Sequence, residues 1–273
     1  MEHSRINLKT KKRIVIKIGS SSLTHETGRL NLRKIDDLAR ILTDFKNQGK
    51  EIILVSSGAI AVGIERLQLK DRPKTIEMKQ AAAAVGQGAL MQIYEKFFGE
   101  YNQQVAQILL TKDVVDHPIR KRNTENTFCA LLSMGVIPIV NENDTVATEE
   151  IEFGDNDTLS AMVAEVIKAD LLILLSDIDG FYTADPRLDS TAQLISVIER
   201  ITPEIERAAG GVGSNIGTGG MATKISAAQI ACGAGIDMVI ANAAHLEDLY
   251  KILEGEAIGS LFLGQNIGIA SEH

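Results

Sequence analysis

The sequence has no tryptophan, and aromatic residues make up only 4% of it. Large rings therefore cannot carry the interior. Ala, Ile, Leu and Gly must do so, which suits helices packed on a parallel sheet. There are two cysteines, Cys129 and Cys232, far apart in the chain. Neither has Cys or His neighbours at metal-ligand spacing, which argues against a disulfide framework and against a zinc site. Both lie in apolar, helix-like segments and are predicted to be reduced core thiols. No apolar run approaches the roughly 18 residues that suggest a membrane span. The N-terminus, MEHSRINLKTKKR, has no apolar stretch behind its charges, so no secretory leader is expected. Basic charge is also short: 28 Lys and Arg stand against 36 Asp and Glu, a net charge of −8. A uniformly basic nucleic-acid footprint is absent, although a site can still be locally positive. The expectation is a cytoplasmic enzyme or binding protein with neither nucleic-acid nor membrane partners.

What is present is enough apolar material for a large core: 45% of 273 residues are hydrophobic and 23% charged. Six short runs rich in Ile, Val and Leu read as buried strands: Arg13–Ile18, Glu51–Ser56, Val105–Leu110, Val136–Asn141, Leu171–Ser176 and Met238–Ala241. Helical patterns lie between them at Leu32–Gln48, Ile76–Tyr101, Asn123–Met134, Thr158–Lys168 and Gly220–Ala234, and Ala59–Leu67 can also be helical. The alternation predicts an α/β fold, a three-layer α/β/α sandwich around an open, mostly parallel sheet. Asn31 reads as an N-cap and Gly49 as the residue that ends the first long helix. Val146–Gly154 alternates like a hairpin, and Pro186 marks a loop. No linker splits the chain, so a single domain over 1–273 is expected, with an N-lobe of about 10–170 and a C-lobe of about 171–265.

In open α/β sheets, ligands bind beyond the carboxyl ends of the strands. Four strands here run into polar, mostly Gly-bearing turns: Lys17-Ile18-Gly19-Ser20-Ser21, Ser56-Ser57-Gly58-Ala59, Asn141-Glu142-Asn143-Asp144 and Ser176-Asp177-Ile178-Asp179-Gly180. Lys17 interrupts an apolar strand, and a buried ammonium is costly without an anion to meet it. A phosphate, with backbone N–H groups at Gly19 and Ser20, is one such anion. Gly58 opens a helix with free N–H groups. Gly154–Ser160 sets two acids and an amide at a helix start, more than capping needs. Gly210–Lys224 is the densest glycine stretch. It follows a helical pattern rather than a strand and has no closing Gly-Lys-Ser/Thr, so it fits neither a dinucleotide fingerprint nor a Walker loop. A phosphate-cradling segment leading into a helix, with Lys224 in its first turn, remains. The five histidines read as surface residues. Arg120-Lys121-Arg122 reads as a solvated face or subunit contact.

The chain resembles the amino acid kinase family. The segments that carry the resemblance are Val15–Ser20, Val55–Ile60, Asn141–Asp144, Gly154–Asp157, Tyr182–Arg187 and Gly217–Lys224. Gly-Asp-Asn-Asp and Gly-Thr-Gly-Gly-Met point to the branch that phosphorylates glutamate, rather than to the acetylglutamate, carbamate or UMP kinases. The resemblance implies phosphoryl transfer from ATP, with Mg²⁺, to the γ-carboxylate of L-glutamate, as the first step of proline synthesis. It implies that Ser57, Asp144 and Asn156 hold glutamate in the N-lobe. It gives the nucleotide to Lys17, Gly19, Ser176, Asp177, Thr218, Gly219, Gly220, Met221, Ala222, Thr223 and Lys224, most of them in the C-lobe. Lys17 and Lys224 are the implied catalytic lysines, with Asp157 positioning both. No direct protein ligand to the metal is implied. Feedback inhibition by proline and a homodimer or homotetramer are further expectations. So is the lack of the C-terminal PUA domain that many relatives carry, because few residues follow Gly259-Ser260-Leu261-Phe262.

Overall fold

The computed structural model describes residues 5–146, 156–210 and 220–265, apart from the side chain of Lys112. The described residues form one eight-stranded sheet. Its strands are β1 (Arg13–Ile18), β2 (Glu51–Ser56), β3 (Val105–Leu110), β4 (Ile137–Glu142), β5 (Leu171–Ser176), β6 (Val197–Ile198), β7 (Asp237–Asn242) and β8 (Ser260–Phe262). Their order is β3-β4-β2-β1-β5-β7-β8-β6. Every pairing is parallel except β7 with β8. Among the described residues the α-helices are α1 (Ser20–Leu23), α2 (Leu32–Asn47), α3 (Ala59–Arg66), α4 (Ile76–Glu100), α5 (Pro118–Ser133), α6 (Asn156–Val166), α7 (Pro203–Ala209), α8 (Met221–Gly233) and α9 (Asp248–Leu253).

The strands are apolar on both sides because helices cover both faces. Along β1, Ile14, Ile16 and Ile18 enter one core cluster with residues of α2, α4 and α9. Val15 enters the other, with residues of α6 and α8. Side chains alternate along a strand, so Lys17 falls on the face of Val15, towards α6 and α8. The same alternation puts Glu142, after Val140, and Ser176, after Leu174, on that face. Strand order reverses direction about β1 and β5. Strands from the first part of the chain lie to one side of that junction, and strands from the second part lie to the other.

Helix ends follow the sequence signals. The Asn31 side chain accepts from the Lys34 N–H and caps α2. At the other end, Gly49 N–H and Lys50 N–H return to Lys46 and Phe45 carbonyls, the paired bonds of a Schellman closure. Gly58, at φ +115°, turns β2 into α3, a backbone geometry that only glycine adopts cheaply. Gly63 and Gly86 let α3 and α4 touch through their backbones. A Cβ at either position would stand 1.8 Å from a carbonyl oxygen of the other helix. Alanine at Gly63 would therefore force the helices apart and loosen the platform from which Ser57 and Gly58 project.

Two expectations need correction. Cys129 is exposed, not a core thiol. It sits on α5, where Phe128 is the one buried residue, so most of that helix surface faces solvent. Cys232 is buried as expected, and burial, with Asp237 nearby, pushes its thiol up to about 12. The second correction concerns α5 itself. It begins at Pro118, five residues before the predicted start, because Pro at the first helical position is favoured there and the Arg-Lys-Arg run is simply its polar face. The hairpin expected at Val146–Gly154 falls outside the described residues except for Val146. The exposure of His25, His117 and His245 agrees with the surface reading.

Candidate active site

The carboxyl ends of β1, β2, β4 and β5 meet the N-termini of α6 and α8. Asp157, in the first turn of α6, is completely buried. Lys17 from β1 donates to its Oδ1. Lys224, from the first turns of α8, donates to Oδ2 at 3.1 Å. Thr223 Oγ1 also donates to Oδ2, at 3.0 Å. Ser160 Oγ donates to the Asp157 carbonyl at 2.6 Å, fixing the turn that carries the carboxylate. Burial pushes the Asp157 carboxyl upward, but the charges of Lys17 and Lys224 outweigh it and hold the group below its ordinary range. The three residues come from segments 140 and 67 positions apart, so the fold alone assembles them.

Among the described residues, the Lys17 and Lys224 ammonium groups both bond this one carboxylate, which concentrates cationic groups at this end of the site. The N-termini of α6 and α8 add partial positive charge and N–H groups without intrahelical partners at the same place. Gly19 follows Lys17 closely, and a Cβ there would stand 3.8 Å from Lys17 Nζ. The electrostatic character of this end is anion-binding, and a polyphosphate matches it.

A second group of polar residues lies across the strand ends. Asn156, fully buried, directs its amide nitrogen to Ser57 Oγ at 2.8 Å and to Asn141 Oδ1 at 2.9 Å. Asn141 in turn donates to Gln87 Oε1 of α4 at 2.9 Å. Ser56 Oγ and Tyr94 OH share a hydrogen bond of 2.7 Å that locks the end of β2. Asp144 is 8% exposed, and its carboxyl is pushed up to about 6, first by burial and then by the charge of Glu142.

The structure thus brings Lys17, Asp157, Lys224 and Thr223 into direct contact, and it joins Ser57 to Asn156. Ser176 lies buried at the end of β5, and its hydroxyl donates to Asp177 Oδ1 at 3.1 Å, while Asp177 is exposed. Gly220 stands at the N-cap of α8 and Met221 and Ala222 are its first residues, half-buried or exposed. Thr218 and Gly219 fall outside the described residues. Sequence reasoning assigned no individual role to Asn141, Glu142, Gln87 or Ser160. For Glu142 a signal existed: an acid ending an apolar strand is as anomalous as Lys17 inside one.

A sequence profile of the amino acid kinase family matches residues 12–242. The chain belongs to the amino acid kinase family. Among curated relatives, a protein of Clostridium perfringens named glutamate 5-kinase is 55% identical over 262 residues, covering 94% of this chain and 97% of that protein. One of Clostridium acetobutylicum with the same name is 58% identical over 254 residues, covering 93% and 95%. Among solved structures, a UMP kinase from Bacillus anthracis matches with a TM-score of 0.61 at 17% identity, covering 93% of this chain and 97% of that one. That likeness concerns the fold: the amino acid kinase architecture with its mostly parallel sheet is shared, and substrate is not implied. No helix among the described residues is long and apolar enough to cross a membrane.

Proposed function

We propose that this chain is a glutamate 5-kinase, transferring the γ-phosphoryl group of ATP to the γ-carboxylate of L-glutamate to give L-glutamyl 5-phosphate and ADP. The observation that carries this reading is the buried Lys17–Asp157–Lys224 cluster at the junction of two helix N-termini, in a chain so similar along its length to proteins of that name. The product is an acyl phosphate, fit to be the first intermediate of proline synthesis.

The chemistry asks little of the protein in proton transfer. A carboxylate is already a nucleophile, so no general base is needed. The difficulty is holding two anions in line and stabilising the charge that moves from the transferring group to ADP. On this reading Lys17 and Lys224 flank the phosphates, and Asp157 fixes where their ammonium groups point. Because Asp157 is fully buried and bonded on both oxygens, the lysines are held in place before the reactants arrive. Ser176, Asp177 and the segment entering α8 hold the nucleotide. Ser57, Asp144 and Asn156 hold glutamate, so the N-lobe of about 10–170 and the C-lobe of about 171–265 divide the two substrates. Among the described residues no group of three or more His, Cys, Asp or Glu is placed to hold a metal. On this reading Mg²⁺ comes with the nucleotide, held on phosphate oxygens and water. A homodimer or homotetramer, proline as feedback inhibitor and a cytoplasmic setting complete the proposal.

The test is an ADP-release assay with ATP, Mg²⁺ and L-glutamate, with hydroxylamine present to trap an acyl phosphate. Glutamate-dependent hydroxamate is expected. ADP formed with carbamate or N-acetylglutamate, and none with glutamate, would overturn the reading.

A further inference from the structure

The buried polar groups without partners are unevenly placed. Among the described residues, five buried side-chain polar atoms have no hydrogen-bond partner: Arg5 Nε, Thr43 Oγ1, both Glu142 carboxylate oxygens and Asn156 Oδ1. The first two are remote from the strand ends just described. Arg5 anchors backbone carbonyls at 256, 258 and 259, and Thr43 lies inside α2. The other three are the oxygens of Glu142, the last residue of β4, and of Asn156, whose amide bonds to Asn141 of the same strand, and all three are acceptors. Asn156 has already committed its N–H groups to Ser57 and Asn141, which leaves its oxygen.

Glu142 is 1% exposed, two residues before Asp144. Neither carboxylate has an ion-pair partner among the described residues. Residues 145–155, which follow Asp144 in the chain, hold Glu149, Glu150, Glu152 and Asp155 and no Lys or Arg, and the Lys112 side chain, just past the end of β3, lies outside the described residues. Buried carboxylates without a counter-ion are strongly disfavoured. A region offering only acceptors and negative charge is complementary to a group that only donates and is positive. A primary ammonium, with three N–H donors, is that group.

We propose that Glu142 is a positioning residue for substrate selection: its buried charge, acting through Asp144, makes this end of the site prefer an acceptor with an α-ammonium over a diacid of equal length without one. The inference rests on the glutamate kinase reading and deepens it. The Glu142 oxygens are covered, so Glu142 does not touch the substrate. It strengthens the negative potential around Asp144, and the Asn156 oxygen supplies a further acceptor. Burial keeps this field unscreened, so it counts for more than a surface charge would. After burial, the charge of Glu142 is the second cause that raises the Asp144 carboxyl above its ordinary range.

The test compares L-glutamate with glutarate, which has the same two carboxylates and no amine, in the hydroxamate assay with wild-type protein and with Glu142→Gln. Wild type should favour L-glutamate strongly, because a site built for an N–H donor group rejects an analogue lacking it. Glu142→Gln should cost L-glutamate at least about tenfold more in kcat/KM than it costs glutarate, mainly through KM for the amino acid. Glu142→Asp keeps the charge and should keep most of the wild-type preference. This third protein carries the test if the glutamine variant does not fold. An equal loss for both substrates in Glu142→Gln, or loss of the preference in Glu142→Asp, would overturn the inference, since a purely packing role predicts both. Wild type using glutarate as well as L-glutamate would also overturn it, while leaving the carboxyl kinase reading intact. Wild type inactive on L-glutamate would overturn that reading and this inference together.

Discussion

The two ends of the candidate site are built on opposite principles. At the Lys17–Asp157–Lys224 end, the charged groups satisfy one another before any ligand arrives, and both Asp157 oxygens are bonded. At the Glu142–Asp144–Asn156 end, buried acceptors stand without partners. The first is a preorganised electrostatic device whose geometry must not shift as charge moves during transfer. The second has its charge completed by the ligand, so its contribution appears as affinity and selectivity. The difference gives a clear expectation: damage to the first end should fall on kcat and on folding, and damage to the second on KM for the amino acid.

The largest effect is expected from Asp157→Asn. It removes the charge of the carboxylate that both buried lysines bond, and breaking such an arrangement costs on the order of 3–5 kcal/mol. Urea unfolding should show that loss, and ATP should recover part of it, stabilising the variant more than it stabilises wild type. A variant as stable as wild type without nucleotide would contradict the account of this end. Next comes Lys224→Ala, which should lower kcat by about 10²–10³-fold. ATP binding followed by calorimetry should change far less, because backbone N–H groups and Lys17 remain. Equal losses in binding and turnover would instead mark a site that only binds.

Smaller effects belong to the other end. Asp144→Asn should raise KM for L-glutamate by about 10- to 100-fold, the range for losing a hydrogen bond to a charged group, with kcat changed much less. Its pH dependence follows in sign. Asp144 is ionised only above about 6, so kcat/KM for L-glutamate should fall as pH drops through that value, and the limb should vanish in Asp144→Asn. For folding the sign is reversed. A raised carboxyl means the folded state holds its proton more tightly than the unfolded chain, so this group's contribution to stability declines as pH rises from about 3.8 to about 6. The smallest effect is a control in neither end. Asn31→Ala removes the α2 cap, which should cost about 1 kcal/mol and leave kcat and both KM values alone.

Much of this was legible in the sequence because the strands are short, doubly covered and therefore apolar throughout. Arg13–Ile18, Glu51–Ser56, Val105–Leu110 and Leu171–Ser176 match the observed strands residue for residue. Val197–Ile198 and Ser260–Phe262 were not found, because two or three residues cannot show a period. The short helices α1 and α9 escaped because each spans less than two turns, while α7 showed only as the helical pattern before Gly210. Cys129 misled because an apolar neighbourhood in sequence does not show which helix faces a sheet will cover. In the site, Lys17 announced itself as a charge in an apolar strand, whereas its pairing with Asp157 and Lys224 came from motif resemblance and needed the fold to become visible. Glu142 lay inside a recognised motif, but only burial shows that its oxygens lack partners.

The central claim is that the two ends do separable work. It is tested most directly by measuring kcat and KM for L-glutamate side by side for Lys224→Ala and Asp144→Asn in the hydroxamate assay. The account predicts a crossed pattern, with kcat lost at nearly constant KM in the first and KM raised at nearly constant kcat in the second. The same pattern in both variants would contradict it, because it would mean that the site responds as one undivided unit.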